Sequence, residues 1–260
     1  MTIDLAGKKA LVTGASRGIG RSIALAYAAA GADVALLARN EELLDEVAAE
    51  IGALGRQAVV LVADVTEADA VATAVGRAVA VLGHLDVVVN NAGGNSFMSP
   101  FVSMRLGGWQ KTMALNLDST VYVCQAVGAH LVERGSGSVI NVASVAGLGA
   151  MPFMSHYGAA KAAVLSLTRS LAVEWAHAGV RVNALVPGWV ATDLTAFARA
   201  KDADSARVND EVGQALIARV PMQRWATPQE MSGPAVFLAS DASSFMTGQA
   251  LVIDGGLTVA

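Results

Sequence analysis

Short, nearly continuous apolar runs alternate along this chain with longer segments in which apolar residues recur at three- and four-residue intervals. The first pattern predicts strands buried on both faces, the second helices packed along one side. Strands are expected at 8–13, 34–38, 57–62, 85–90, 138–143, 180–186 and 250–253. Helices are expected from the glycines at 18 and 20 to about residue 30, then over 41–54, 67–82, 108–134 and 227–240. A further long helix opens at Ser155 and ends near Gly179. Such alternation predicts a doubly wound α/β fold, a seven-stranded parallel sheet with helices on both faces. No Gly/Ser/Pro-rich linker and no repeat divides it, so residues 1–260 read as a single domain. The polar stretch from Ala191 to Val220, which includes Lys201 to Arg207, reads as a mobile helical excursion that serves as a substrate loop.

Ligands of such sheets sit beyond the carboxyl ends of the strands, and Gly14, Asp64, Asn90, Ser144 and Pro187 all follow strands. Gly14, Gly18 and Gly20 join the first strand to the first helix. Missing side chains there let the backbone approach a pyrophosphate at the helix N-terminus. Ser16, Arg17 and Ile19 belong to the same turn. A tight turn with no ligand would use glycines too. Where an acidic residue would bond the adenosine ribose of NAD, the second strand ends in Ala38 and Arg39. Arg39 and Arg17 have the chemistry to hold a 2′-phosphate, which points to NADP(H). NAD(H) is the alternative, with both arginines simply facing solvent.

Composition narrows the picture. With 54% hydrophobic but only 5% aromatic residues, the core must be built from Ala, Val and Leu on closely packed elements. A mean hydropathy of +0.49 raises the question of a membrane. Asp, Arg or Gly, however, interrupts each apolar stretch before a span's length. Net charge is -4 with no Lys/Arg cluster, so no nucleic-acid partner is expected. Cys124 is the single cysteine, and His84, His130, His156 and His177 lack ligand spacing, so no metal is expected. The N-terminus carries no apolar signal core, which leaves the cytoplasm as the expected location.

The long helix opens Ser155-His156-Tyr157-Gly158-Ala159-Ala160-Lys161. Tyr157 and Lys161 then share a face, about 6 Å apart along the axis. A phenol beside an ammonium is a potential proton donor; an interfacial Tyr beside a snorkelling Lys is the plainer alternative. Context decides between them. The turn Thr13 to Gly20, Asp64-Val65, Asn90-Asn91-Ala92-Gly93, Asn116, Ser144, Tyr157-x-x-x-Lys161, Pro187-Gly188 and Thr192 occur in this order. In that order they resemble the short-chain dehydrogenase/reductase family over essentially the whole chain, including its 3-oxoacyl-(acyl carrier protein) reductase-like members.

The resemblance implies a Rossmann-like NAD(P)-dependent oxidoreductase that interconverts a ketone and a secondary alcohol by hydride transfer. It implies that Asp64 and Val65 hold the adenine and that Asn91, Ala92 and Gly93 line the cofactor. It places Pro187, Gly188, Val190 and Thr192 at the nicotinamide end, and Lys161 on the nicotinamide ribose. Asn116, Ser144, Tyr157 and Lys161 are the implied catalytic set, with Asn116 anchoring a proton-relaying water. Two structural alternatives stay open: Asn90 satisfying backbone groups, and Asn116 tolerated in its helix by a local backbone bond. The chemistry also stands apart from the resemblance. Hydride addition leaves charge on the carbonyl oxygen, which Tyr157 would protonate and Ser144 would hydrogen-bond. Lowering a tyrosine by about three units takes about 4 kcal/mol, for which Lys161 and the positive nicotinamide of the oxidised cofactor are the expected sources.

Met151, Phe153, Met154, Trp189, Leu194 and Phe197, with Phe97 across the cleft, are expected pocket walls. They suit a small-molecule ketone or alcohol with an apolar portion, and leave sugar alcohols open. Carrier-protein reductases present basic residues where this chain has Ala129 and Val173, so a 3-oxoacyl-ACP reductase is the second choice. Val173 and Trp175 suggest a subunit interface, in keeping with the homotetramers frequent in the family. A non-catalytic NADP(H)-binding sensor is disfavoured because the catalytic constellation is complete.

Overall fold

The computed structural model describes residues 3–193, 195 and 206–260. The apolar runs become seven parallel strands: β1 (Lys9–Thr13), β2 (Asp33–Ala38), β3 (Ala58–Val62), β4 (Val87–Asn90), β5 (Gly137–Val142), β6 (Val180–Pro187) and β7 (Ala250–Ile253). They pair in the order β3-β2-β1-β4-β5-β6-β7 as one sheet. Alternate residues face opposite layers. Val12, Leu36, Val89 and Ile140 pack with α1 (Gly18–Ala29), α2 (Glu41–Ala53) and α8 (Ser232–Ala239). Leu11, Leu37, Val88 and Val139 pack with α3 (Ala68–Leu82), α5 (Ser119–Arg134) and α6 (Ser155–Trp175). Strand order reverses between β1 and β4, which opens a crevice beyond their carboxyl ends. This is the single-domain Rossmann-like architecture expected, with strand ends differing by a residue or two.

Two helices differ from expectation. The single helix expected over 108–134 is α4 (Leu106–Met113), a π-helical turn at Ala114–Asp118, and α5. The π turn forms where the Asn116 side chain leaves the helix: its Nδ2 donates to Gly94 O at 2.8 Å and to Thr112 O at 3.0 Å. The helix expected over 227–240 begins instead as a 3-10 turn, Pro228–Met231, closed by a capping box between Thr227 and Glu230. In the polar stretch, α7 (Ala206–Ile217) supplies the expected helix. The mobility expected of Lys201 to Arg207 falls largely outside the described residues.

A buried polar ladder ties α6 to the sheet. Asn90 Nδ2 donates to Asn141 Oδ1 at 2.8 Å and to Cys124 Sγ at 3.3 Å. Asn141 Nδ2 donates to Thr168 Oγ1 at 2.9 Å, and that hydroxyl donates to Val164 O on α6. The bonds of Asn90 therefore run to side chains, not to the backbone groups of the structural alternative. Asn141 is fully buried between two polar partners, so removing it strands both. Asn141→Ala is expected to cost about 2–4 kcal/mol, read from the denaturant midpoint at unchanged m-value. A shift below about 0.5 kcal/mol would show that the ladder is not holding α6.

Candidate active site

α6 buries the face that carries Tyr157, Ala160, Lys161 and Val164. The helical spacing thus brings Tyr157 and Lys161 together, with Lys161 Nζ 5.8 Å from the centre of the phenol ring. Nζ donates to Val142 O, at the end of β5, at 2.9 Å. Burial disfavours the ammonium and brings Lys161 down to about 8. Burial also pushes the Tyr157 phenol up to about 12, against a hydrogen-bonding influence from Ser144 that pulls it down. Of the two expected sources of lowering, Lys161 does not by itself offset this burial. Within this chain desolvation wins, and Tyr157 keeps its proton at neutral pH, as a donor must. Ser144 caps a 3-10 turn (Val145–Gly147), its Oγ accepting from Ala146 N.

Asn116 is fully buried, and its Oδ1 accepts from Gly94 N at 2.9 Å. A Cβ on Gly93 would fall 2.9 Å from Asn116 Oδ1 and 3.2 Å from Lys161 Nζ, so both side chains converge on that glycine. Asn116 does make the local backbone bond of its structural alternative, to Thr112 O, but it also pins the loop after β4.

The glycine turn divides into two jobs. A Cβ on Gly20 would fall 2.2 Å from Gly14 O, and one on Gly14 would fall 2.8 Å from Asn91 Nδ2. Those two glycines let helix, strand and the Asn90–Gly93 turn pack together, whether or not a ligand is present. Gly18, at φ +55°, meets only the Thr192 side chain, at 3.5 Å. Arg17, the residue before α1, makes no side-chain cap, and the first turn of α1 carries no acidic residue. A phosphate group fits these features, since the leading N–H groups of α1 are left without a side-chain partner. Ser16 and Ile19 are half-buried in this turn.

The other expected cofactor residues fall along the same edge of the sheet. Asn91 Nδ2 donates to Thr13 O and Gly14 O, while Thr13 Oγ1 accepts from Asn91 N and Ala92 N. The Asn91 side chain thus fastens the glycine turn. Arg39 reaches Asp64 with Nη1 3.5 Å from Oδ2, and Arg17 pairs with Asp193 at 3.1 Å; both arginines are exposed. A hydrogen bond from Thr66 N, above all, holds the Asp64 carboxyl below its usual range. Val65 and Val190 are buried. Pro187 ends β6, and Gly188 packs so closely on Asp254 that a Cβ would fall 2.8 Å away.

Beside this crevice lies a cavity of about 480 Å³ lined by Val145, Leu148, Gly149, Ala150, Met151, Trp189, Arg219, Leu257 and Thr258. Of the expected walls it includes Met151 and Trp189. Met154 instead packs with Ala146 and Tyr157. Phe97 stacks on His156 with ring centres 4.1 Å apart, and Phe153 is half exposed at φ +64°. Leu194 and Phe197 lie outside the described residues. His156 Nε2 pairs with Asn95 Oδ1 at 2.9 Å, which makes it a fastener of the loop after β4. Arg219, Leu257 and Thr258 carried no signal in the sequence, since only the folding back of the chain end brings them to the cavity. Among the described residues no His/Cys/Asp/Glu group could hold a metal, and no helix is long and apolar enough to cross a membrane.

Two glycine variants separate packing from binding. Gly20→Ala is expected to cost about 1–3 kcal/mol by overpacking, seen as a lower Tm. Gly18→Ala is expected to cost about 1 kcal/mol for its positive φ and to weaken NADPH binding at least about tenfold in a fluorescence titration. Unchanged NADPH affinity in Gly18→Ala would remove the turn from the cofactor site.

Comparison with known proteins agrees with this geometry. A family model described as enoyl-(acyl carrier protein) reductase matches residues 14–258. Gluconate 5-dehydrogenase of Gluconobacter oxydans (strain 621H) is 39% identical over 256 residues, 98% of this chain and 96% of that protein. A 3-oxoacyl-[acyl-carrier-protein] reductase of Chlamydia pneumoniae is 37% identical over 260 residues, 99% of this chain and 100% of that protein. The crystal structure of a gluconate 5-dehydrogenase from Burkholderia cenocepacia J2315, in complex with NADP and tartrate, superposes with a TM-score of 0.91 at 38% identity, covering 99% of this chain and 98% of the other. Sequence similarity and sheet architecture agree: the chain belongs to the short-chain dehydrogenase/reductase family of NAD(P)-dependent oxidoreductases acting on CH–OH groups.

Proposed function

We propose that this enzyme interconverts a small-molecule ketone and its secondary alcohol with NADP(H), Tyr157 Oη exchanging the proton of the carbonyl oxygen. The observation that carries this is the buried Tyr157–Lys161 pair, with Ser144 beside the phenol at the carboxyl edge of the sheet. When bound, the nicotinamide supplies or takes up the hydride. Ser144 Oγ holds the carbonyl oxygen, and Tyr157 Oη gives it a proton as charge develops. The Lys161 ammonium stabilises the phenolate left behind and bonds the nicotinamide ribose. Asn116 holds a water that passes a proton back to Lys161; their shared approach to Gly93 supports this role.

The cofactor's adenosine end falls to Asp64, Val65 and Arg39. Arg39 supports NADP(H) over NAD(H), because its exposed pairing with Asp64 is weak enough to be exchanged for a 2′-phosphate. The Burkholderia structure carries NADP, which supports the same choice. The Chlamydia relative keeps a carrier-protein reductase as the second reading, while Val173 is an exposed, uncharged side chain where an acidic carrier would need a base. Exposed Val102, Leu106 and Val173 are available for assembly with further copies, and a homotetramer is the assembly proposed.

The test is steady-state kinetics with NADPH and NADH on ketones, sugars, sugar acids and free or carrier-bound 3-oxoacyl thioesters. NADPH is expected to give the higher kcat/KM. Because Lys161 is held down to about 8 while Tyr157 stays protonated, reduction is expected to fall as pH rises through about 8, where the ammonium is lost. Preference for NADH would remove Arg39 from the site. Strong preference for the carrier-bound chain would establish the second reading.

A further inference from the structure

We propose that the substrate is anionic, and that Arg219 binds its carboxylate while its carbonyl faces Ser144. This rests on the ketone–alcohol chemistry proposed for Tyr157 and adds the charge of the molecule bound. The cavity of about 480 Å³ is of small-molecule size, with walls at Val145, Met151, Trp189 and Leu257 that are apolar. It joins the catalytic site through two residues. Val145 directly follows Ser144, and Met151 packs both against the Tyr157 cluster and against the cluster that includes Val145 and Leu257.

Among the described residues Arg219, whose side chain is solvent-exposed, is the one charged group of that lining, and no carboxylate lines it. Its side chain has neither an ion pair nor a hydrogen bond among the described residues, while its backbone N–H donates to Leu216 O. Arg224, five residues on and at a second cavity that shares Trp189, shows the contrast: its guanidinium is bidentate to Glu230, at 2.6 and 2.8 Å. Among the described lining residues the one side-chain hydroxyl, on Thr258, already donates to Asp254 at 2.7 Å. The charged donor left in the cavity is therefore a planar fork suited to a carboxylate, at the solvent-facing side of walls that are otherwise largely apolar.

The test compares a keto acid with its methyl ester in the wild-type enzyme and in Arg219→Gln and Arg219→Lys. The wild type is expected to prefer the acid. Arg219→Gln is expected to raise KM for the acid by about 10- to 100-fold with kcat within about threefold, leaving the ester unchanged, and Arg219→Lys to recover part of the loss. Equal handling of acid and ester by the wild type, or an equal loss on both in Arg219→Gln, would overturn the proposal. Calorimetric titration of the matching hydroxy acid and hydroxy ester into Tyr157→Phe with NADP+ reads the same site without turnover. Acid binding that depends on Arg219 supports the carboxylate site even if no ketone is reduced. Acid binding indifferent to Arg219 overturns it even if ketones are reduced.

Discussion

Lys161 carries its amino group into the protein interior with, among the described residues, a single backbone carbonyl, Val142 O, as hydrogen-bond partner. An ammonium placed there loses hydration and gains no ion pair among the described residues, and this is what brings its proton affinity toward the working range. The same burial raises Tyr157. Desolvation thus pushes the pair in opposite directions, each toward its neutral form, as the proposed proton donor requires. Gly93 is part of this constraint, because any side chain there would occupy the space between Lys161 Nζ and Asn116.

Such an arrangement works only if the surrounding elements do not move. α6 is joined to the middle of the sheet by the Asn90–Asn141–Thr168 ladder, whose members are all buried. The π turn brings the Asn116 side chain out of its helix to fasten Gly94, and His156 fastens Asn95 in the same loop. On the other side of the crevice, Asn91 locks the glycine turn through Thr13 O and Gly14 O. Polar side chains that a sequence reading would assign to ligands are in several cases spent on holding backbone. The groups proposed to meet substrate are few: Ser144, Tyr157 and, in the adjoining cavity, Arg219.

The seven strands were legible because residues such as Val34 to Leu37 and Val87 to Val89 are buried on both faces, which leaves an unbroken apolar run. The Tyr157–Lys161 relation followed from helix periodicity alone. Three features were not legible, each for a physical reason. The π turn depends on Asn116 bonding to Gly94, 22 residues away, so local periodicity reads straight through it. The direction of the Tyr157 shift depends on how deeply α6 is buried, which spacing does not encode. Arg219 sits in a charged stretch like any solvated surface and gains meaning only where Leu257 and Thr258 return to meet it.

Whether Tyr157 is the proton donor is tested most directly by Tyr157→Phe, which removes the hydroxyl and keeps the ring packed. Turnover of the best ketone substrate is expected to fall by about 10²- to 10⁴-fold, with NADPH affinity by fluorescence titration within about threefold of the wild type. A variant that binds NADPH normally and retains more than about a tenth of its turnover would show that the proton comes from elsewhere.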